Sequence, residues 1–577
     1  MEKTVLVIFK DESPKRSDKW WQQFGTVIAP KKLEEVFIKQ HKVVFVDIES
    51  LLDPSSVQEA SELVRKLSLL KTSDGHRVSK LVNYKGYELW WIHYDDLMYK
   101  FCLPYTEYHI LLKYIKDFSY IYLYNPPSPS LFRYYLEAHS CNHQILNASS
   151  KKLPPLGIVI QIILSLPFIL WLGIRRIRLM IWTSDLFDPP HDYDFRMRFI
   201  YEELRKKKIK SVEFIRSMES SRTVISHALK RKRPVVYSFA ISRFTYYLAN
   251  LFDNRYKNKQ RNLKLHLDDN PMNRFWFNIA TSYVSGMSGD IWSIKIIKFI
   301  LRFIGIKVAI IPAAHSRNFH EVLACKLSKI PTVGILHGVP SKDYPVYDFM
   351  PEFDGEKALS VDKYGLWSEW WKEYYFKNSR AYRADQLFIS GPMRPLQHTD
   401  SHSAPTGQLT KVLFASEQLA SPKEILPYLD KLMEAKDITL YFKFRPYRDG
   451  FEEWLKVNRP DILRKMDKSK VLRGSMVEAI AQCDAVVGSH TGGALEALLQ
   501  LKPMIFFLTK RWGDYFELKS FKLGRSFIAE SPQELLVLIR KSKDIPKETL
   551  MELQLHFFGD PYMNGSKWVV GEVEKLL

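Results

Sequence analysis

From Cys483 to Leu498 the chain reads CDAVVGSHTGGALEAL, an apolar strand, a turn of small and polar residues and a helix start in immediate succession. A strand that passes through glycines straight into a helix belongs to an α/β unit. A second apolar run at Pro503–Leu508 (PMIFFL) completes strand, loop, helix and strand, which requires parallel pairing. Residues without bulk let backbone N–H groups approach an anion, and the partial positive charge of a helix N-terminus favours one there. Ser489, His490, Thr491, Gly492 and Gly493 are therefore candidate ligands for a phosphate-bearing molecule. The same turn is also compatible with an ordinary helix start in which Ser489 or Thr491 is the N-cap.

Short apolar runs alternate with helical patterns from about Lys411 onward. Val412–Ala415 (VLFA) and Ile438–Phe444 (ITLYFKF) are predicted strands, and the second ends in Lys443, Arg445 and Pro446. Ligands of open α/β sheets bind beyond the C-terminal ends of the strands, so Lys443 and Arg445 are placed to meet a diphosphate; solvated strand-end charges are the plainer alternative. Ser475 and Glu478 fit a capping box at the head of a helix over Met476–Cys483.

A second α/β module is predicted over roughly Tyr193–Pro395, with strands at Val235–Phe239, Val308–Pro312 and Thr332–Leu336. The last runs directly into His337-Gly338-Val339-Pro340-Ser341-Lys342. A histidine on a rigid turn just past a strand end can serve as a general base, since its ordinary pKa lies near working pH; a capping histidine fits the position equally. His315 and His320 follow the preceding strand and are further candidates for the cleft.

Taken in order, HGVPSK (337–342), LFISGPMRP (387–395), KFRP (443–446) and DAVVGSHTGGALEALLQLKPMIFF (484–507) resemble GT-B glycosyltransferases that build cell-surface polymers. The nearest likeness is to teichoic-acid glycerophosphotransferases, polysialyltransferases and capsule-polysaccharide transferases. It covers about residues 300–510. The resemblance implies a pair of Rossmann-like domains facing a cleft, with His337 as catalytic base. It further implies that the Ser489–Gly493 turn holds the donor phosphates and that Glu496 meets the donor's ribose or sugar. LFISGPMRP is similar to the segment passing between the two domains, which places Arg394 near the cleft; Lys342 and His315 join the expected substrate-binding set. The turn here is Ser-His-Thr-Gly-Gly where such enzymes carry a run of serines.

A chain of 577 residues exceeds one core, and the expected division is an N-terminal α/β region (1–150), an apolar segment (151–190), an acceptor-side Rossmann-like domain (191–395) and a donor-nucleotide domain (405–577). Strands are predicted in the first region at Thr4–Phe9, Val43–Asp47, Glu88–His93 and Tyr120–Tyr124. Cys102, Cys141, Cys325 and Cys483 have no metal-like spacing and read as reduced core thiols. Asp192-Tyr193-Asp194 has the form of a metal-binding DxD but no strand to present it, and Asp95-Asp96 reads as a helix cap, so no metal and no cofactor is expected. No P-loop, GxSxG or GxGxxG stands in a fitting context.

Leu153–Ile174 runs 22 residues without a charge between Lys151-Lys152 and Arg175-Arg176-Ile177-Arg178. That length can cross a bilayer, but its prolines and the cations on both flanks favour a monotopic or re-entrant insertion over a span or a buried helix pair. With Met1 leading straight into a strand-like run, the expected location is the cytoplasmic face of the cell membrane, peripheral or monotopic. The 85 Lys and Arg against 64 Asp and Glu leave a formal charge of +21, and the clusters RKKKIK (205–210) and KRKR (230–233) suit anionic lipid or solvated faces. No nucleic-acid motif organises these cations.

The chain is thus expected to be α/β, a GT-B-like pair of Rossmann-like domains with an apolar membrane-associating insertion. It is expected to move a sugar from a nucleotide-activated donor to a lipid-linked or growing surface glycan. The alternatives are a nucleotide-sugar epimerase of the same fold and a catalytically silent binding or scaffold protein.

Overall fold

A computed structural model describes the chain apart from residues 1–3, 11–17, 42, 147–154, 187–190, 267–269, 316, 339–340, 343–347, 349–358, 395–409, 417–420, 446–449 and 522–523. The sequon at Asn147, most of the HGVPSK turn beyond Gly338 and the passage after Arg394 fall wholly or partly outside those residues.

Three parallel sheets carry the architecture. In the first stretch β1 (Thr4–Ile8), β2 (Thr26–Ala29) and β3 (Val44–Asp47) are followed by a small antiparallel hairpin, β4 (Asn83–Tyr84) and β5 (Tyr87–Glu88), and then by β6 (Tyr120–Tyr124) and β7 (Asn142–Leu146). The long strands join in the order β3-β2-β1-β6-β7. The middle sheet contains β8 (Leu179–Ser184), β9 (Ser211–Arg216), β10 (Val235–Val236), β11 (Val308–Ile310), β12 (Thr332–Ile335), β13 (Lys363–Leu366) and β14 (Leu387–Ile389), ordered β10-β9-β8-β11-β12-β13-β14. The third is built from β15 (Thr410–Ala415), β16 (Ile438–Lys443), β17 (Ala485–Gly488), β18 (Met504–Phe507) and β19 (Ile528–Ala529), ordered β16-β15-β17-β18-β19. Strands such as LMIWTS, AVVG and MIFF are apolar almost throughout and buried along their length, as sheets covered by helices on both faces require. Each sheet grows one way from its first strand and then the other, so switch points fall between β1 and β6, β8 and β11, and β15 and β17.

Two predicted strands take other forms. Glu88–His93 contributes only Glu88 to the hairpin, and Leu89–His93 coils into a 3-10 turn whose Trp90 and Trp91 are both buried. An unbroken apolar run satisfies burial in either conformation, so its pattern cannot choose between them. Val235–Phe239 pairs only at Val235–Val236 before the helix Ser238–Phe252 begins. Conversely, β8 and β9 were not foreseen, although β8 is the interior strand at the switch point, paired with β9 on one side and β11 on the other. The capping box at Ser475 and Glu478 is present.

The chain's end ties the second and third sheets together. After β19 and its helices, Lys547–Phe558 returns to the middle sheet, where Trp371 Nε1 donates to the Phe557 carbonyl at 2.9 Å. The helix Gly565–Leu576 then packs Val569, Val570 and Val573 into one core with Val308, Ile310, Val333 and Ile335. Its first turn is pinned by Gly565 N–H donating to the Pro392 carbonyl at 2.9 Å and Ser566 Oγ donating to the Met393 carbonyl at 2.7 Å.

The apolar segment forms one helix, Pro155–Arg175, with Pro167 inside it. It packs on Ser221–Lys230, Ser238–Phe252 and Met287–Ile304. Ser165 Oγ accepts the Tyr237 N–H at 2.9 Å, while Leu166, Leu170 and Ile174 face outward. Among the described residues, Leu156–Arg175 is the one helix long and apolar enough to cross a membrane. The first sheet's region also packs on the middle one, with Trp90 Nε1 donating to the Ala280 carbonyl at 2.8 Å and Arg274 donating to the Ala138 carbonyl at 3.1 Å.

At Gly391 the backbone turns with φ +75°, and an added Cβ would lie 2.5 Å from Met563 Cβ. Gly391→Ala should therefore destabilise the contact between the second and third sheets by about 1–3 kcal/mol, read as a lower melting temperature in calorimetry.

Candidate functional site

β17 delivers its turn at the switch point of the third sheet. Val487 pairs with Phe414 and Ala415 pairs with Lys443, so Gly488, Ala415 and Lys443 end their strands at one level. Strand spacing puts Lys443 about 10 Å from Gly488, across β15. Lys443 is buried and donates from Nζ to the Phe444 carbonyl at 3.3 Å; Arg445 is exposed.

Within the turn, Thr491 is the N-cap of the short helix Gly492–Leu495, its Oγ1 accepting the Gly493 N–H at 3.2 Å. The capping alternative thus holds for Thr491. Ser489 Oγ lies 3.1 Å from His490 Nδ1, and the His490 ring is buried against Trp512, 4.3 Å between centroids. Burial, helped by the charge of Arg511, pushes His490 down to about 3, so the ring is neutral and packs the turn from beneath. Gly492, Gly493 and Glu496 line its upper side, half-buried.

Glu496 links this turn to the middle sheet. Its Oε1 lies 3.7 Å from Arg394 Nη1, which follows β14. Burial raises the Glu496 pKa while Arg394 opposes the shift, and its Oε2 is buried without a hydrogen-bond partner among the described residues. Thr509 Oγ1, just past β18, is in the same condition. Lys342 makes a second bridge, its Nζ 2.7 Å from Glu517 Oε1 and its N–H donating to Tyr374 Oη at 2.8 Å. The C-terminal edges of two parallel sheets therefore face one another across a crevice.

His337 lies just past β12 on the middle-sheet side of that crevice, reached by solvent yet crowded by enough protein to lose most of its hydration. Desolvation and the positive charge of Arg196 push its pKa down to about 4, with Arg394 adding to the shift and Asp194 opposing it. His315, past β11 at the switch point, is pushed down to about 3 by burial and by Arg317, Arg216, Arg196 and His337, and it packs edge-on to Trp182 at 5.1 Å. Two neutral imidazoles and several cations thus gather at one sheet edge. An anion is the complement to such a set, and a neutral imidazole there can accept a proton.

Asp194 and Arg196 belong to this cluster. Asp194 is buried and accepts from Thr183 Oγ1 at 3.1 Å and from Arg196 Nε at 2.9 Å, so it positions the guanidinium beside His337. Asp192 instead accepts the Lys232 N–H at 2.7 Å and pairs with Arg233 at 3.3 Å. The DYD motif is therefore engaged by arginines, and no group of three or more metal-ligating side chains occurs among the described residues. His320 turns away to Asp290, 2.9 Å from Oδ1, whose other oxygen lies 3.1 Å from His93.

Arg196 and Arg511 were missed in the sequence, and Asp194 was weighed there only as part of a metal-binding DxD. The usable signal for Arg511 was its place directly after the PMIFFL strand; for Arg196 it was β8, whose central role was invisible until the sheet was assembled.

No family model matches the chain, and no curated protein matches it. Solved structures that resemble it include S. aureus MnaA with UDP (11% identity, TM-score 0.40, 69% of this chain and 97% of that one). Another is Anabaena Alr3699/HepE with UDP and glucose (12%, 0.40, 70% and 100%). A third is the glycotransferase of kitacinnamycin (10%, 0.41, 69% and 99%). At these scores they carry no argument, and the site is read from its own residues.

In a histidine NMR titration of the whole chain, His337 should titrate near pH 4, and Arg196→Ala should raise it without restoring the ordinary value, since one opposing cation is lost while burial remains.

Proposed function

We propose that this protein is a glycosyltransferase, or a related glycerophosphotransferase-like enzyme, that uses a nucleotide-activated donor. The observation that carries the reading is the meeting of two switch-point sheet edges across Arg394 and Glu496, with a solvent-open neutral histidine on one side and a glycine turn on the other. In this reading the donor's diphosphate rests at the Ser489–Gly493 turn, near Arg394 and the strand-end cations Lys443 and Arg445. The nucleoside meets Glu496, whose unpartnered oxygen suits a ribose hydroxyl.

The acceptor hydroxyl attacks the donor's anomeric carbon as His337 takes its proton. The bond from that carbon to the diphosphate oxygen breaks, and the nucleotide diphosphate leaves with the electron pair, its charge met by fixed cations and backbone dipoles. A depressed pKa keeps His337 ready as a base down to mildly acidic pH.

Association with the cytoplasmic face of a membrane is part of the proposal. The outward side of Pro155–Arg175, with Leu170 63% and Ile174 83% exposed, supports a helix lying in the lipid interface. The packing of the first sheet's region on the middle one argues against a lone span, which would separate them. RKKKIK is mostly exposed, as lipid contact needs, whereas KRKR is half withdrawn: Arg231 pairs with Glu213 at 2.6 Å and Asp185 at 2.9 Å in the interior.

Calorimetry across a panel of nucleotide sugars and CDP-glycerol should show saturable binding of one nucleotide class, abolished by Gly492→Trp. His337→Ala should retain that binding within a few-fold and lose about 10²–10⁴ in turnover. Turnover of free sugar nucleotide without any acceptor would overturn the transferase in favour of an epimerase. Absence of binding across the panel would leave the turn structural and sink the enzyme reading.

A further inference from the structure

Beside the apolar helix lies an open groove of about 1090 Å³ that the proposed reaction leaves unused. Its walls are the helices Ser238–Phe252 and Met287–Ile304, which present Ile241, Phe244, Leu248, Trp292, Ile296 and Phe299. Ile162 of Pro155–Arg175 completes the lining, so the groove is continuous with the outward apolar face of that helix. Phe303, stacked on Phe299 at 6.1 Å, packs against Gly173 of the same helix and closes the seam between them. The volume is at the upper end of the range for small-molecule sites.

The polar end of the groove is basic. Lys295 is exposed on its wall and has no carboxylate partner among the described residues. Arg255 stands opposite with Asn254 and Asn258 and shares its charge with Asp253, at 2.7 Å. The helix that follows, Arg255–Asn262, carries Arg255, Lys257, Lys259 and Arg261 and no acid. Of the charged residues that line the groove, Asp253 offsets Arg255 and Lys295 is left over, while Lys257 and Lys259 outside the lining donate to the Asn250 and Leu81 carbonyls, so the groove's polar margin carries one net positive charge. Phe299, one helical turn from Lys295, and Phe244 on the facing helix are 62% and 44% exposed, side chains that water solvates poorly.

We propose that this groove is a binding site for a single hydrocarbon chain bearing an anionic head group, drawn from the membrane, with the chain along Phe244, Leu248 and Phe299 and the head group at Lys295 and Arg255. The occupant is set by two chemistries in one cavity, apolar walls open to the face that the proposed function places against lipid, and the cations Lys295 and Arg255 on its lining. Ile241 sits one helical turn from Ser238, where the helix leaves the crevice edge of the middle sheet. A lipid held here would keep its head group's neighbourhood tethered to the enzyme. The inference rests on the membrane-facing reading, and the test separates the two.

The probe is dodecyl phosphate below its micelle concentration, titrated calorimetrically into the full-length protein beside dodecanol, with sedimentation on phosphatidylglycerol vesicles as a second readout. Wild-type protein should bind dodecyl phosphate at one saturable site, more tightly than dodecanol. Thr245→Trp, which fills the groove, and Lys295→Glu, which reverses its charge, should each weaken that binding by about tenfold or more. Phe299→Gln, at an exposed wall position, serves if Thr245→Trp does not fold. Leu170→Glu with Ile174→Glu should lose vesicle sedimentation while binding dodecyl phosphate as wild type does. Unchanged binding in a folded Thr245→Trp or Phe299→Gln variant, or equal affinity for dodecanol, overturns the groove proposal. Failure of wild-type protein to sediment with vesicles overturns the membrane reading instead.

Discussion

The return of residues 547–577 from the third sheet to the second fixes how every other part of the site is aimed. Two parallel sheets joined only by one passage of chain could pivot freely, since interfaces between domains of one chain are ordinarily modest. Here Trp371, Ser566 and the Gly391–Gly565 contact bind the last helices to the ends of β13 and β14, and valines of the final helix fill the core beneath β11 and β12. Glycine at 391 is required twice, for a left-handed turn and for the close approach of the crossing segment. With that crossing in place, Arg394 and Glu496 meet across the crevice, and so do Lys342 and Glu517.

Charge within the crevice follows from strand ends. Parallel sheets point the same ends of all their strands one way, so side chains just past β8, β11, β12 and β14 collect on one rim. Burial there, reinforced by neighbouring arginines, holds both rim histidines neutral. His490 is neutral through burial too, but it is sealed against Trp512 and supports the turn that carries it. The contrast separates a histidine able to exchange protons with a ligand from one that shapes the backbone holding it.

The apolar helix shows how packing changes the meaning of a hydrophobic run. By length a charge-free stretch of that kind can cross a bilayer, and its prolines and flanking cations favour an insertion instead. Packed along Ser238–Phe252 and Met287–Ile304, it buries Gln161, Ser165 and Leu172 and widens into a broader apolar surface that includes Phe244, Leu251 and Phe299. That surface is the one on which the proposed membrane contact rests.

From the sequence alone, the α/β class, most strands of the third sheet and the turn at Ser489–Gly493 were legible, because short buried strands entering glycine turns carry a local signature. The capping box at Ser475 and the cap at Thr491 were legible for the same reason, each depending on residues within one helical turn. What the tertiary structure alone decided is long-range: β8 as the switch-point strand of the middle sheet, Arg196 beside His337, Arg394 against Glu496, and His490 turned inward. The Leu89–His93 run was undecidable locally, since five consecutive apolar or aromatic-rich positions satisfy burial as a strand or as a turn. Local pattern determines which segments can be strands, helices and turns; which strand ends share a rim, and hence which side chains share a chemistry, depends on sheet order and on the crossing of the last helices, and neither is written in any window of neighbouring residues.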